Sequence, residues 1–159
     1  MIVVELDPTE YALAVQLAAI RQTVNSGSGV KDKQMGQDDG YKIGIDGLVA
    51  ELAVCKHFNV MPELSFYPRG GGHDCIIGNY KIDVKSTKSG KTIVYLPERK
   101  SKNQIDLYIW CYVTFRKVEI LGYFKPKDIF VEANLKQSPR PDEKHYEIDL
   151  RNLRKFKQS

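Results

Sequence analysis

Two stretches in the first sixty residues repeat apolar side chains at the spacing of an α-helix. The first begins at Asp7-Pro8-Thr9-Glu10, where an Asp cap, a Pro at the first helical position and a Glu in the first turn are typical of a helix start. This helix continues to Arg21. The second runs from about Ile43 to Phe58 and carries one apolar stripe, formed by Ile45, Leu48, Val49 and Leu52. Glu51 lies on the flank of that stripe, where it can border the core.

Residues 25 to 40 separate these helices and are rich in Gly, Ser, Lys and Asp, so we expect an exposed, mobile loop there. Later apolar runs are shorter and are typical of strands. The predicted strands are 74–77 and 80–86, joined by a Gly78-Asn79 turn, then 92–96, 106–113, 118–124 and 145–150; a short helix is predicted over 128–135. This order predicts an α/β (α+β) protein with two helices flanking a mixed central β-sheet of about five or six strands.

The Gly78-Asn79 turn fixes the register of the first hairpin. Counting outward from the turn places Asp74 opposite Asp83, and strand alternation places Lys85 on the same face as Asp83. Opposed carboxylates destabilise a sheet unless a cation lies between them. The pattern therefore predicts a site for a hard divalent metal ion.

Composition places limits on the protein class. A length of 159 residues with 42% apolar and 28% charged residues predicts one globular domain over residues 1–159. The net charge of +4 permits a polyanionic partner without requiring one. The three cysteines (Cys55, Cys75 and Cys111) are odd in number and form no CxxC motif, which indicates buried thiols in a reducing compartment. No apolar run approaches the roughly 20 residues that span a bilayer, and the N-terminus lacks signal-peptide features, so we expect a cytoplasmic protein without a membrane partner.

The order of a helical Glu, a strand Asp and an Asp-x-Lys strand resembles the PD-(D/E)XK nuclease superfamily, which includes restriction endonucleases, Holliday junction resolvases and many phage nucleases. The matching segments are Gly47-Leu48-Val49-Ala50-Glu51, His73-Asp74, Ile82-Asp83-Val84-Lys85-Ser86 and the following strand Asp106-Leu107-Tyr108-Ile109. The resemblance covers residues 43–125 and implies a restriction-endonuclease-like core, as in small phage-type or resolvase-like enzymes. For a phage protein, the host cytoplasm would be the compartment.

The Asp-x-Lys triplet supports the resemblance only because of its position in the chain. Acidic-x-Lys triplets begin at Asp83, Glu98 and Asp142, and such short motifs arise readily by chance. Only Asp83 lies inside a predicted strand with a carboxylate expected across the hairpin. His73 stands where the name of the family has Pro, a position that varies among members.

The resemblance implies a Mg²⁺-dependent deoxyribonuclease in which Glu51, Asp74, Asp83 and Lys85 are catalytic. Asp74, Asp83 and the Val84 carbonyl would hold the ion, Glu51 would bind it directly or through water, and Mn²⁺ would substitute. Lys85 would orient the attacking water. The alternative for Asp83 and Lys85 is a solvated strand face with a weak charge pair. The alternative for Glu51 is a helix-surface residue that pairs with Lys56.

Basic residues cluster around this predicted site. We expect DNA contacts from six of them: Lys81, Lys88, Lys91, Arg99, Lys100 and Lys102. Such contacts would weaken with salt; a merely solvated Lys-rich loop is the alternative. The sequence does not exclude RNA as a substrate or a homodimer. It also does not distinguish endonucleolytic from exonucleolytic cleavage. Two other functions also stay open: a non-catalytic nucleic-acid-binding or assembly protein that retains this fold, and an unrelated α/β protein.

Overall fold

A computed structural model describes residues 1–27, 40–65, 72–139 and 142–157. Within these ranges the chain forms, in order, β1 (Ile2–Glu5), α1 (Pro8–Gly27), α2 (Gly40–Phe58), β2 (Cys75–Ile77), β3 (Tyr80–Thr87), β4 (Ile93–Pro97), β5 (Leu107–Thr114), β6 (Lys117–Phe124), α3 (Pro126–Ile129), β7 (Leu135–Gln137) and β8 (Lys144–Asp149). Short 3-10 turns cover Glu98–Lys102, Glu132–Asn134 and Leu150–Asn152.

Five strands form the main sheet in the order β1-β6-β5-β3-β2. All neighbours are antiparallel except β3 and β5, which are parallel. Parallel neighbours need a long crossover connection, and the segment between Thr87 and Leu107 supplies it. The prediction of a mixed α and β protein with a mixed central sheet is therefore confirmed.

Two predicted strands do not join this sheet. Residues 92–96 and 145–150 correspond to β4 and β8, which pair with each other and with β7 in a separate three-stranded sheet of order β4-β8-β7. β3 already has a neighbour on each side, so β4 cannot pair with it. The fifth strand of the main sheet is instead β1, which the sequence analysis did not assign; it pairs with β6.

Each face of the main sheet has its own apolar core. Ile82 and Val84 of β3 face α1 and α2 and pack among the buried stripe of α2. On the opposite face, Tyr108 and Trp110 of β5 pack against apolar residues of β4 and β8 (Val94, Leu96, Tyr146 and Ile148). The second sheet thus covers the face that carries the odd-numbered residues of β3.

The helix starts follow the predicted chemistry, but the helices are longer than predicted. The Asp7 amide donates to Glu10 Oε2 (2.7 Å) and the Glu10 amide donates to Asp7 Oδ1 (2.8 Å), a reciprocal cap at the start of α1. Residues 25–27 and Gly40 of the predicted loop are helical, and residues 28–39 lie outside the described ranges. The predicted helix over 128–135 is replaced by α3, the 3-10 turn Glu132–Asn134 and the start of β7. In the described ranges, no helix has the length and apolarity needed to cross a membrane.

Gly122 marks a close approach of two backbones. Trp110 pairs with Gly122 beside an irregularity in the β5–β6 register. On the other side of the strand, Tyr123 and Arg154 exchange amide-to-carbonyl hydrogen bonds of 2.9 and 3.0 Å. Gly122 has φ +147°, and a Cβ atom there would lie 2.3 Å from the Arg154 carbonyl oxygen. Only glycine fits this position without displacing the C-terminal segment.

Candidate active site

The predicted catalytic residues line one cavity of about 150 Å³. The hairpin of β2 and β3 contributes Asp74, Asp83, Val84 and Lys85, and α2 contributes Glu51. Among the described residues, the rest of the wall comes from Arg21 of α1, Lys100 of the 3-10 turn, and a rim formed by Glu63, Ser65, Gly72 and His73. Residues distant in sequence therefore meet at one polar cavity at the edge of the main sheet.

The hairpin has the predicted register up to Cys75. Gly78 has φ +61° in the turn, and the pairs Ile77–Tyr80 and Cys75–Ile82 follow from it. The ladder ends there, because the Asp74 amide bonds to the carbonyl of Ile82 (2.8 Å), the residue already paired with Cys75. Asp74 lies in a bend, and its Oδ2 accepts a hydrogen bond from the Val84 amide (2.7 Å). The predicted ladder pair between Asp74 and Asp83 does not form, yet both carboxylates reach the cavity.

Asp83 and Lys85 lie on the same face of β3 and form an ion pair between Oδ1 and Nζ. In the parallel register their neighbours are Tyr108 and Trp110, which belong to the core beneath the second sheet. Asp83 is only 4% exposed, so the pair does not lie on a solvated strand face. Burial alone lowers the pKa of Lys85, but Asp83 and Asp74 outweigh it and the pKa is raised. Lys85 therefore remains a cation at neutral pH.

Glu51 is buried on α2 and pairs with a residue that sequence reasoning missed. Arg21 donates from both terminal nitrogens, Nη1 to Oε1 (2.9 Å) and Nη2 to Oε2 (3.0 Å). Lys56, the partner considered from sequence, instead bonds to Glu10 Oε2 (2.9 Å). The sequence did indicate that Arg21 lies on the core-facing side of α1, because it continues the buried stripe of Ala14, Leu17 and Ala18 at helical spacing. A charge at such a position needs a buried partner.

Glu51, Asp74 and Asp83 all line this cavity, and their proximity affects the pKa of Asp74. Burial raises the pKa of Asp74 well above its ordinary value, and the charges of Glu51 and Asp83 raise it further. Lys85 and the hydrogen bond from the Val84 amide oppose the shift without cancelling it. Asp74 therefore retains its proton at a higher pH than an ordinary aspartate.

This shift predicts a pH-dependent stability for the metal-free protein. Because Asp74 binds its proton more tightly in the folded chain than in the unfolded chain, its favourable contribution is complete below the unfolded pKa of about 4. That contribution is lost as the pH rises through the raised folded-state pKa. Urea unfolding in chelator between pH 4 and 8 should show the free energy of unfolding falling relative to Asp74→Asn, which stays neutral throughout. Parallel pH profiles for the two proteins would contradict the burial of a titrating Asp74.

Among the six basic residues predicted to contact nucleic acid, Lys100 lines the cavity. Burial lowers the pKa of Lys100, and the neighbouring charge of Lys85 lowers it further. Arg99 pairs with Glu143 at 3.5 Å between Nε and Oε1. The remaining four (Lys81, Lys88, Lys91 and Lys102) are exposed along β3, the following loop and the 3-10 turn.

Of the other candidate groups, His73 lines the cavity, and the three cysteines are not among its lining residues. His73 Nε2 lies 3.8 Å from Glu63 Oε2 at the rim. The three cysteines are free and buried, as predicted. Cys55 and Cys75 contact each other through their side chains, on the apolar side of Glu51 and Asp74.

The donor set suits a hard divalent ion. Glu51, Asp74 and Asp83 offer carboxylate oxygens, and Mg²⁺ needs only one or two of these because it retains several waters. In the described part of the chain, no three His, Cys, Asp or Glu side chains already stand at metal-binding spacing. Each carboxylate is engaged by another group: Glu51 by Arg21, Asp74 by the Val84 amide and Asp83 by Lys85.

Comparison of the chain with protein-family models and with curated proteins gave no match. The functional assignment therefore depends on the geometry of the cavity and on the resemblance of its residues to a known catalytic pattern.

Proposed function

We propose that this protein is a metal-dependent nuclease of the PD-(D/E)XK type that hydrolyses phosphodiester bonds in DNA. The observation that carries the proposal is the convergence of Glu51, Asp74, Asp83 and Lys85 on one cavity. Burying like charges together is costly for folding, and clusters of buried groups with perturbed pKa values are common at functional sites.

The fold supports a restriction-endonuclease-like core. The hairpin of β2 and β3 carries the acidic residues, and β5 lies beside β3 as the buried strand that the family pattern expects next. α2 carries Glu51 on the side of the sheet that Ile82 and Val84 face. β4 comes between β3 and β5 in the chain but lies in the second sheet, so the adjacency of β2, β3 and β5 supports this architecture and the full strand order does not.

The residues of the cavity divide the work of hydrolysis. When bound, Mg²⁺ would supply Lewis acidity toward water and a phosphate oxygen, held by Asp74 and Asp83 with Glu51 and the Val84 carbonyl. Lys85, a partly buried cation beside Asp83, would orient the attacking water and offset negative charge that develops on the phosphate. Lys100, which also lines the cavity, would contact a phosphate oxygen.

A substrate panel tests the proposal directly. The protein is expected to cut at least one of single-stranded, duplex and branched DNA in Mg²⁺, to cut in Mn²⁺, and to stop when the metal is removed with chelator. Gel analysis of end-labelled substrates would separate internal from terminal cleavage. Absence of cutting on every substrate, together with no calorimetric binding of Mg²⁺ or Mn²⁺, would refute the proposal.

One observation favours a second candidate, a non-catalytic nucleic-acid-binding protein with the same fold. Two of the three carboxylates are already neutralised within the chain, Glu51 by Arg21 and Asp83 by Lys85. A cavity that compensates its own charges could persist without a metal ion. This alternative predicts salt-sensitive DNA binding that is indifferent to Mg²⁺ and produces no cleavage.

A further inference from the structure

Among the proposed metal ligands, only Glu51 comes from a helix. Its carboxylate already forms an ion pair with Arg21. Both carboxylate oxygens of Glu51 accept hydrogen bonds from the guanidinium, at 2.9 and 3.0 Å. A carboxylate held in this bidentate way has its best lone pairs committed to the arginine. While Arg21 stays in place, Glu51 can therefore offer a metal ion only the remaining, less favourable lone pairs of these oxygens.

We propose that Arg21 is a positioning residue that competes with the divalent ion for Glu51, so that the metal site is complete only after the guanidinium has left the carboxylate. This inference rests on the proposed function, because it presumes that Asp74 and Asp83 hold the ion. It adds a residue outside the resemblance and a condition on when the cavity becomes active.

The burial of the two partners indicates which of them moves. The Glu51 side chain is 6% exposed and projects from the buried face of a 19-residue helix, whereas the Arg21 side chain is 31% exposed. An arginine has several rotatable bonds and can swing toward solvent, while the glutamate is confined by its surroundings. Exchange should therefore leave Glu51 near its position and release Arg21.

Electrostatics explains why the metal-free protein needs Arg21. Without it, Glu51 would face Asp74 and Asp83 across the cavity with less positive charge to compensate them. The guanidinium is attracted to all three carboxylates. A bound divalent ion would bring two positive charges to the same carboxylates, so it would remove the reason for the ion pair. In the metal-free protein Arg21 compensates the negative charge of the carboxylates. In the metal-bound protein the ion would compensate it.

The opposite role would be a permanent support in which Arg21 orients Glu51 for metal binding. The two roles make opposite predictions for the loss of Arg21. A competitor that is removed lets the ion bind more tightly, whereas a support that is removed lets it bind more weakly.

Calorimetric titration of Mg²⁺ into the full chain separates these outcomes. Arg21→Gln should bind Mg²⁺ about tenfold more tightly than the wild-type protein, within the usual range of coupling between sites. Arg21→Lys keeps the charge but cannot span both oxygens, so its affinity should lie between the two. In contrast, Glu51→Gln should bind more weakly than wild type. Weaker or unchanged binding by Arg21→Gln would overturn the competition.

A second measurement needs no variant, since Arg21→Gln leaves Glu51 buried without its partner and could impair folding. In the wild-type protein, nitrogen NMR of the Arg21 guanidinium should show restricted rotation without metal and free rotation at saturating Mg²⁺. Persistence of the restricted signals at saturation would overturn the proposal.

Failure of this inference is distinguishable from failure of the proposed function. If the wild-type protein binds Mg²⁺ and cuts DNA while Arg21 stays on Glu51, the competition is wrong and the nuclease assignment stands. If neither the wild-type protein nor any variant binds Mg²⁺ or cuts DNA, both fall together.

Discussion

Replacing Asp83 with Asn is expected to reduce the rate of DNA cleavage on the order of 10³-fold, because Lewis-acid stabilisation of the transition state is worth several kcal/mol. Asn has the shape of Asp and still offers Oδ1 to Lys85, so the cavity should keep its geometry while losing a charged ligand. Single-turnover cleavage at saturating Mg²⁺ is the appropriate measurement.

Asn is the informative substitution at this position. Asp83 is 4% exposed and pairs with Lys85, so Asp83→Ala would leave a partly buried ammonium without its partner. Breaking a buried pair in this way costs about 3–5 kcal/mol, and a loss of activity could then reflect unfolding.

Asp106→Asn provides a matched control for Asp83→Asn. Asp106 is exposed beside β3, where its Oδ2 accepts a hydrogen bond from the Lys81 amide (2.8 Å). The same loss of charge there should leave cleavage within about twofold of the wild-type rate, since surface substitutions usually have small effects. If Asp83→Asn cleaved DNA at the wild-type rate, the catalytic site would lie elsewhere in the protein.

Gly122→Ala is expected to lower the free energy of unfolding by about 1–3 kcal/mol, the range for a residue held in a sparsely populated backbone conformation. An alanine at φ +147° is strained, and its Cβ would lie 2.3 Å from the Arg154 carbonyl oxygen. Relief requires the C-terminal segment to move, which would break the two hydrogen bonds between Tyr123 and Arg154. Urea denaturation followed by circular dichroism would measure the loss.

The same substitution at Gly47 should have the opposite sign. Gly47 lies inside α2, where a new Cβ would meet nothing within 4 Å. Alanine there should stabilise the protein by about 0.5–1 kcal/mol through helix propensity. Equal stability of Gly122→Ala and the wild-type protein would show that the C-terminal segment is not held against β6.

The structural features that are predicted best from the sequence are those formed by residues close together in the chain. The Gly78-Asn79 turn fixes the pairing of β2 with β3, and alternation along β3 places Asp83 beside Lys85. The reciprocal hydrogen bonds of Asp7 and Glu10 likewise follow from residues three apart. Asp74 departs from the extrapolated ladder because the chain bends before the first paired residue. The glycine run Gly70-Gly71-Gly72 favours a turn near this point, but it does not indicate where the ladder ends.

Pairings between residues that are distant in the chain were not predictable. Arg21 and Glu51 are 30 residues apart, so their pairing appears only when α1 packs on α2. β1 has four residues, too few for a clear pattern, and it pairs with a strand late in the chain. Alternation in β4 and β8 predicts strands but not their sheet, since that choice depends on the apolar face formed by Tyr108, Trp110 and Phe124.

The parallel pairing of β3 with β5 has a consequence for synthesis of the protein. A chain emerging from the ribosome as far as Thr87 already contains Glu51, Asp74, Asp83 and Lys85, but it lacks β5 and the strands that cover Asp83. Contacts of this range form late, because the intervening loop must close first. Under the proposed function, hydrolytic capacity should therefore arise only after β5 and β8 have been synthesised, and fragments ended before β5 should leave nucleic acid uncut.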